Sequence, residues 1–461
     1  MQVFFIIIAV LGSAYFLSRK TIDPLAVAFG ASVVYFAPGF IGTIRFSKGL
    51  SEKGAHLGDY ASSIAPGAYV CMLIVLTMVI VAAIISDLVP SKQIIYMPGD
   101  KYMPSILALI VIISASLSLG SVSTYYLCAD KTITLSKIDY WYYWAGYALP
   151  LCLVSACMLR QWTVVAFCIV MLAADIFIGF RANTAVCFLS FLVIIGDMLF
   201  RDRRSALIYI GILVIGGGSF FLVKEMAYSI KSLYAVNCTA KPGKLIAVSP
   251  NQKIEVAGRT NSTDAAKKIA KAVASAKTYT NSIFNSEPFV IQAILNETVS
   301  RNFSTPADYI AKQALGAVPG GATIFHIDLG AIPLFSDFFK PKLFRDVPFG
   351  MASNPWAQAF AAGGYPLVIL FAAIYAGVVG GLGYLFKISR GGVSATMLVT
   401  SMWVAFYFHR NDVLTEIGIV KQTVYAAVAA LAISSFLVMG WSGLAKLRSA
   451  KRLPTKASNG P

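Results

Sequence analysis

Charge is scarce in this 461-residue chain. Asp, Glu, Lys and Arg make up 13% of it, against roughly a quarter in soluble domains. Hydrophobic residues reach 57% and mean hydropathy is +0.72, which excludes a water-soluble globular fold. Histidine is scarcer still: His56, His326 and His409 lie far apart and lack metal-ligand spacing. No Cys-x-x-Cys pair exists, and six cysteines (Cys71, Cys128, Cys152, Cys157, Cys168 and Cys187) fall within or beside apolar runs. Cys238 stands alone in a polar stretch, so no disulfide framework can form there. Neither a P-loop nor a Gly-x-Ser-x-Gly elbow occurs, which argues against an ATPase and a serine hydrolase. No cofactor and no metal are expected.

What the chain does have is a rhythm of apolar runs, near 2–18, 24–44, 66–87, 104–123, 139–159, 162–180, 184–200, 205–223, 364–386, 392–408 and 423–443. Runs of ~20 apolar residues suit helices that cross the hydrocarbon core, whereas barrel strands would be short and alternating. The expected fold is an all-α polytopic membrane protein with about 11 transmembrane helices. The first run has no basic residue ahead of it and is followed by Arg19-Lys20, so it reads as a retained helix and not as a signal peptide. The rhythm breaks once. The chain divides into 1–223 with eight spans, a large loop over 224–363, three further spans over 364–443, and a basic tail over 444–461.

Lys and Arg in the short loops set the expected orientation. One side receives Arg19, Lys20, Lys92, Lys101, Arg160, Arg201, Arg203, Arg204, Lys387, Arg390 and the tail. The other receives Arg45, Lys48, Lys53, Lys131, Lys137, Arg181, Arg410 and Lys421. The excess makes the first side cytoplasmic and the large loop extracytoplasmic, with the loop 45–61 as the main dissenter. The net charge of +17 then needs only a membrane surface; no basic arm with interleaved aromatics points to nucleic acid.

Within the large loop, Thr263-Asp264 could cap a helix over AAKKIAKAVASAKTY, its lysines on one face and Ala266, Ile269 and Val273 on another. Such a helix suits either a membrane surface or a small core of the loop itself. Further helices are expected over 287–301 and 306–315, each begun by an early proline. Four Asn-x-Ser/Thr triplets, at Asn237, Asn261, Asn296 and Asn302, are glycan acceptors only in a eukaryotic secretory context.

Chemistry-bearing residues gather at two turns. The sixth run ends Gly179-Phe180-Arg181 and leads directly into the seventh. An Arg fixed between two linked spans suits phosphate oxygens, although an interfacial Arg that only snorkels fits the position too. Asp175 lies about 120° around the helix from Arg181, so its partner is expected on another span. His409-Arg410-Asn411-Asp412 places a second Arg on the same side. Residues 353–366 form a small-residue approach to the ninth span, and Gly377-x-x-x-Gly381 within that span reads as a helix-packing signal.

The order of these motifs resembles the bacterial O-antigen or oligosaccharide repeat-unit polymerases (Wzy-type): a Gly-x-Arg turn between mid-chain spans, one large loop, a Ser353-Asn354 exit into a glycine-rich span, and an Arg-Asn-Asp turn between the last two spans. Two departures stand out. Gln358 occupies a place where the family commonly has an acidic residue, and Val318-Pro319-Gly320 lacks the Arg of an Ile-Pro-Arg-like element. Ser353-Asn354, where the related O-antigen ligases carry a His-Asn-like motif, favours polymerase over ligase.

The resemblance implies a GT-C-like arrangement in a bacterial inner membrane, with the large loop periplasmic. It also implies oligosaccharide repeat units on undecaprenyl pyrophosphate as substrates, membrane lipid as surroundings, and a chain-length co-polymerase as a possible partner. A sugar hydroxyl would attack the anomeric carbon of the growing chain and the lipid pyrophosphate would leave. Cations must meet the developing charge and a weak base must take the proton. Arg181 and Arg410 are the candidates for the pyrophosphate, with Glu287 and His326 for the proton. Arg259, Arg301, Arg345, Asn354 and His409 are candidates for substrate binding, and Trp356, Tyr365, Tyr309 and Phe325 for sugar stacking. A lipid-linked oligosaccharide flippase is the rival reading from another class, but no internal repeat of the kind transporters carry is found.

Overall fold

The computed structural model describes residues 1–19, 21–48, 57–90, 95, 97, 99–122, 139–201, 287–306, 308–326, 328, 332–347 and 351–450. The span expected at 205–223, the helix after Thr263-Asp264, Arg259, Cys238, Asn237 and Asn261 lie outside these residues. The described chain is mostly helical. Four helices are long and apolar enough to cross a membrane: Pro66–Leu88, Asp100–Gly120, Pro355–Ile388 and Val413–Met439. Among the described residues, five shorter helices are also apolar: Gln2–Ser18, Pro24–Tyr35, Trp162–Ile178, Ala182–Gly196 and Gly391–Tyr407.

In chain order the principal elements are α1 (Gln2–Ser18), α2 (Pro24–Tyr35), β1 (Thr43–Ser47), β2 (Asp59–Ser63), α3 (Pro66–Leu88) and α4 (Met103–Val122). Next come α5 (Tyr140–Met158), α6 (Trp162–Ile178) and α7 (Ala182–Arg201). The large loop contributes α8 (Glu287–Ser300), α9 (Tyr309–Ala317), α10 (Gly321–Ile324) and α11 (Phe335–Leu343). The last helices are α12 (Pro355–Ile388), α13 (Gly391–Met402) with a π-helical turn over Trp403–Tyr407, and α14 (Val413–Ala450).

The helix ends follow local chemistry. Asp23 caps α2 by accepting the Ala26 N–H at 3.0 Å, with Pro24 in the first turn, and Asp139 caps α5 through the Tyr142 N–H at 3.1 Å. Inside α12, Gly364 adopts φ 62°, ψ −155°, a region open essentially to glycine alone. The element is therefore two helices joined at Gly363-Gly364. That joint separates the approach over 353–366 from the span expected at 364–386.

Two expectations are corrected. The run 24–44 is not one helix: α2 ends at Tyr35, the chain turns through Pro38–Ile41 and Gly42 (φ 82°), and an antiparallel hairpin follows with Thr43 opposite Ser63 and Ser47 opposite Asp59. Two of the dissenting basic residues, on or next to β1, meet acids: Arg45 pairs with Asp59 at 2.9 Å and Lys48 with Asp346, while Lys53 lies outside the described residues. The packing signal at Gly377 and Gly381 also points the wrong way. Both face open space, while Gly380 and Gly383 on the other face lie against Leu25 and Pro24 of α2.

The bundle has two distinct ends. At one, Asp23 accepts Arg19 at 2.8 Å and Lys387 at 3.2 Å, Arg19 reaches Asp87 at 2.6 Å, and Gly196 packs against Ile22. At the other lie the hairpin, the start of α8 and the α6–α7 turn. There Asn296 is buried, accepting the Ala65 N–H at 2.7 Å while its amide donates to Ser62 and Ser63, so it cannot carry a glycan in this fold.

Candidate functional site

The site is built on the turn that ends α13. The α-helix loosens into the π-turn Trp403–Tyr407, a distortion often found at functional positions. The chain then reverses over Phe408–Asn411, and Asp412 caps α14 by accepting the Thr415 N–H at 2.8 Å. Between the two helices, His409 points inward and Arg410 outward.

His409 is 1% exposed and is enclosed by aromatic rings. Tyr35 stacks on it at 5.3 Å, while Phe36, Tyr375 and Trp356 approach its edge or face. Its hydrogen bonds fix the tautomer. The Trp356 Nε1–H can only donate, so His409 Nδ1, 3.1 Å away, must be the acceptor. Nε2 lies 3.1 Å from the Ser32 hydroxyl and 3.2 Å from that of Tyr375. Those hydroxyls already give their own protons to the Ala28 and Ala405 carbonyls, so Nε2–H donates and both oxygens accept. Burial pushes the pKa of His409 down to about 3, and a second ring proton would face the Trp356 N–H. The ring is neutral, both nitrogens are used, and it does not reach the surface. Its part is to hold the turn that presents Arg410; direct substrate contact, as expected for His409, does not fit this geometry.

Arg410 makes an ion pair with Glu287, the first residue of α8, in which Nη1 donates to Oε2. Nε and Nη1 lie 2.8 Å from Oε1 and Oε2 respectively. The guanidinium also sits 5.3 Å from the Tyr407 ring centre. Burial works against its charge, and the Glu287 carboxylate together with Tyr407 and Tyr35 more than offsets that, so Arg410 is held above the ordinary arginine range. A guanidinium carries five N–H groups, and the partners of Arg410 are the Glu287 carboxylate, through Nη1, and the Tyr35 hydroxyl.

Arg410 lines a cleft of about 130 Å³ together with Tyr142, Tyr147, Phe180, Asn183 and Tyr407. The second nominated turn thus reaches the same place. Gly179 (φ 116°) ends α6, and its N–H and that of Phe180 both bond to the Asp175 carbonyl, at 3.1 and 3.0 Å. The Asp175 carboxylate fastens the turn: it accepts the Tyr142 hydroxyl from α5 and, at 2.9 Å, the Asn183 amide from α7. Its named partners lie on other helices, in keeping with its 120° offset from Arg181. Arg181 is exposed beside Phe180 and makes no ion pair among the described residues.

The other nominated residues lie elsewhere or are engaged. Asn354 is 1% exposed and caps α12: its oxygen accepts the N–H groups of Trp356 and Ala357, and its amide donates to the Ile291 carbonyl at 3.0 Å. It is a fastener and not a binding group. Arg301 is paired with Glu297 at 2.6 Å on the hairpin side. Arg345 is exposed beside Asp346, and His326 sits with φ 51° on the exposed end of α10; neither lines the cleft. Trp356 and Tyr309 are buried, whereas Tyr365 and Phe325 are exposed. Gln358 is buried, donating to Gln313 at 2.6 Å and accepting the Val413 N–H at 3.1 Å.

Sequence reasoning missed the tyrosines of α5 that wall the cleft, although the density of Tyr and Trp over 140–147 was a signal. It also missed Glu416, which is 4% exposed and accepts the amide of the cleft residue Asn411 at 3.2 Å. No family model, no curated protein and no solved structure matches the chain.

Proposed function

We propose that the chain is a Wzy-type polysaccharide polymerase: a glycosyltransferase that joins undecaprenyl-pyrophosphate-linked oligosaccharide repeat units at the periplasmic face of a bacterial inner membrane. The observation that carries this reading is the meeting of two turns, each nominated for its Arg, at one cleft where Arg410 also pairs with the first residue of α8 in the large loop. The proposed architecture has eleven spans in a GT-C-like arrangement. The described helices alternate between the Asp23 end and the cleft end, and the sequence supplies the remaining span at 205–223, outside the described residues. The excess of Lys and Arg at the Asp23 end makes that end cytoplasmic.

In this reading the acceptor hydroxyl attacks the anomeric carbon, a C–O bond to the acceptor forms, and the C–O bond to the pyrophosphate breaks with its electron pair passing to the phosphate oxygen. Arg410 meets that oxygen with its guanidinium, and Arg181 adds a second cation beside Phe180. Glu287 takes the hydroxyl proton. Its protonation weakens the ion pair with Arg410 and so frees more of the guanidinium for the leaving pyrophosphate.

The test is deletion of the gene in its native host, complemented with wild type, Arg410→Ala or Arg181→Ala, with surface polysaccharide read on a silver-stained gel. Loss of the ladder with single capped repeat units remaining, rescued by wild type and by neither variant at equal expression, is the expected result. An unchanged ladder on deletion overturns it. Loss of every repeat unit points to a ligase or a flippase instead.

A further inference from the structure

The segment α9–α10 has an orientation that its hydrogen bonds fix. Near the start of α14, the Val413 N–H donates to Gln358, and the Gln358 amide donates to Gln313 on α9 at 2.6 Å. One turn further along α9, the Ala317 carbonyl accepts from Lys421 Nζ at 3.1 Å. Lys421 lies about 12 Å beyond Val413 along α14 at ~1.5 Å per residue. So α9 runs down the side of α14 in the direction in which α14 enters the membrane. The chain comes back as well: the Pro333 carbonyl accepts both the Tyr309 hydroxyl, at 3.1 Å, and the Gln313 amide, at 3.3 Å, level with the start of α9. Between these points lies a tight turn at Pro319-Gly320-Gly321. There Gly320 has φ 76°, and a Cβ on Gly321 would sit 1.9 Å from the Leu315 carbonyl oxygen.

The composition of this descending hairpin is sorted by depth. Its upper end carries the exposed pair Asp308–Lys312 at 2.6 Å. From Gln313 through Phe325 there is no charged residue and no histidine. At the lower end, Leu315, Val318, Ile324 and Phe325 are 41%, 49%, 69% and 54% exposed. Water is a poor environment for four such side chains clustered on a turn. The neighbouring surface is the outward face of α14, with Tyr425 and Val428 also exposed, so the apolar tip continues the face that α14 turns to lipid.

We propose that the α9–α10 hairpin dips into the bilayer leaflet on the cleft side, with Val318, Ile324 and Phe325 among the lipid acyl chains. The fit is to the interfacial zone, where an apolar face can sink ~5–10 Å while short helices satisfy most backbone groups. The inference rests on the chain being a membrane protein and not on the polymerase reading.

Spin labels on cysteines placed at Val318, Ile324 and, as a control, Lys312, in an otherwise cysteine-free protein reconstituted in phosphatidylcholine vesicles, test it. Labels at 318 and 324 should collide more often with dissolved oxygen than with an aqueous nickel chelate, and the order should reverse at 312. Equal behaviour of all three positions overturns the proposal, and so does shielding of 318 and 324 from both reagents, which would mean that protein covers the tip. Should the cysteine-free protein fail to fold, the wild-type chain is photolysed with a phospholipid carrying a diazirine in its acyl chain. Adducts within 313–325 are then expected, and their absence, with adducts on α14 present, overturns it.

Discussion

Replacing His409 by Phe tests the buried network that holds the Arg410 turn. The phenyl ring keeps most of the packing against Tyr35 and Phe36 but offers no acceptor to the Trp356 N–H. Ser32 and Tyr375 lose only an accepted hydrogen bond, because their own protons stay on the Ala28 and Ala405 carbonyls. The dominant cost is therefore one buried, unsatisfied donor, about 1–3 kcal/mol. A pH signature separates this from a simple packing defect. In the unfolded chain the histidine titrates near 6.5, while in the folded protein its pKa lies at about 3. The folded state is the one that refuses the proton, so wild-type stability is full above the unfolded pKa and falls as pH drops from 6.5 towards 3. At pH 5.5 the loss from this one group is about 1.4 kcal/mol relative to pH 7.5. The variant lacks that loss. The stability gap between wild type and His409→Phe should thus narrow by about 1.4 kcal/mol between pH 7.5 and pH 5.5. Denaturant unfolding of the detergent-solubilised proteins, followed by tryptophan fluorescence, measures it. A gap that stays constant with pH would show that His409 is not held neutral by the fold, and the tautomer assignment would fall with it.

Asp175→Asn should loosen the α6–α7 turn by about 1–3 kcal/mol, since the Asn183 amide and the new amide then compete as donors where one carboxylate had accepted both neighbours. The thermal midpoint should fall, and a midpoint equal to wild type would mean that Asp175 is not the fastener. Gly364→Ala should cost about 1–3 kcal/mol because its φ and ψ are closed to a side chain, while Gly377→Ala, on an open helical face, should be neutral or slightly stabilising. The opposite ranking in a thermal-shift assay would restore the Gly377/Gly381 packing signal.

Much of the scaffold was legible because membrane spans are written locally. A run of ~20 apolar residues with a polar break needs no distant partner to be read. The expected 66–87 matches Pro66–Leu88, which is long and apolar enough to cross a membrane, and 139–159 and 162–180 match the helices Tyr140–Met158 and Trp162–Ile178 in extent. The Gly179 and Asp412 turns were legible for the same reason: a left-handed glycine and an Asp cap act within four residues. The hairpin over 43–63 was not, because β1 continues directly from an apolar run and its charges are cancelled by acids, one of them Asp346, far along the chain. The ion pair between Glu287 and Arg410 left no local trace either. Each residue looks like an ordinary surface charge until the fold brings the start of α8 to the end of α13. The Trp356–His409–Ser32 chain joins three separate helical regions, and nothing in any one of them marks it.

The two ends of the bundle hold their cations in different ways, and the difference bears on function. At the Asp23 end, Arg19 is nearly enclosed and spends its guanidinium on three oxygens of Asp23 and Asp87, while Lys387 turns back to the same Asp23. Those charges are consumed by structure, and an arriving anion would have to break a closed network to reach them. At the cleft end, Arg410 is held by the Glu287 carboxylate and the Tyr35 hydroxyl, with an open cleft of about 130 Å³ in front of it. Behind it the turn is pinned by a neutral, fully hydrogen-bonded His409 that adds no charge of its own. Stabilising a developing pyrophosphate charge calls for a cation that is positioned in advance and faces an open cleft, since reorganisation would consume much of the benefit. Among the described arginines, Arg410 meets both conditions, which is why the proposed chemistry is placed at its turn and not at the more basic end of the molecule.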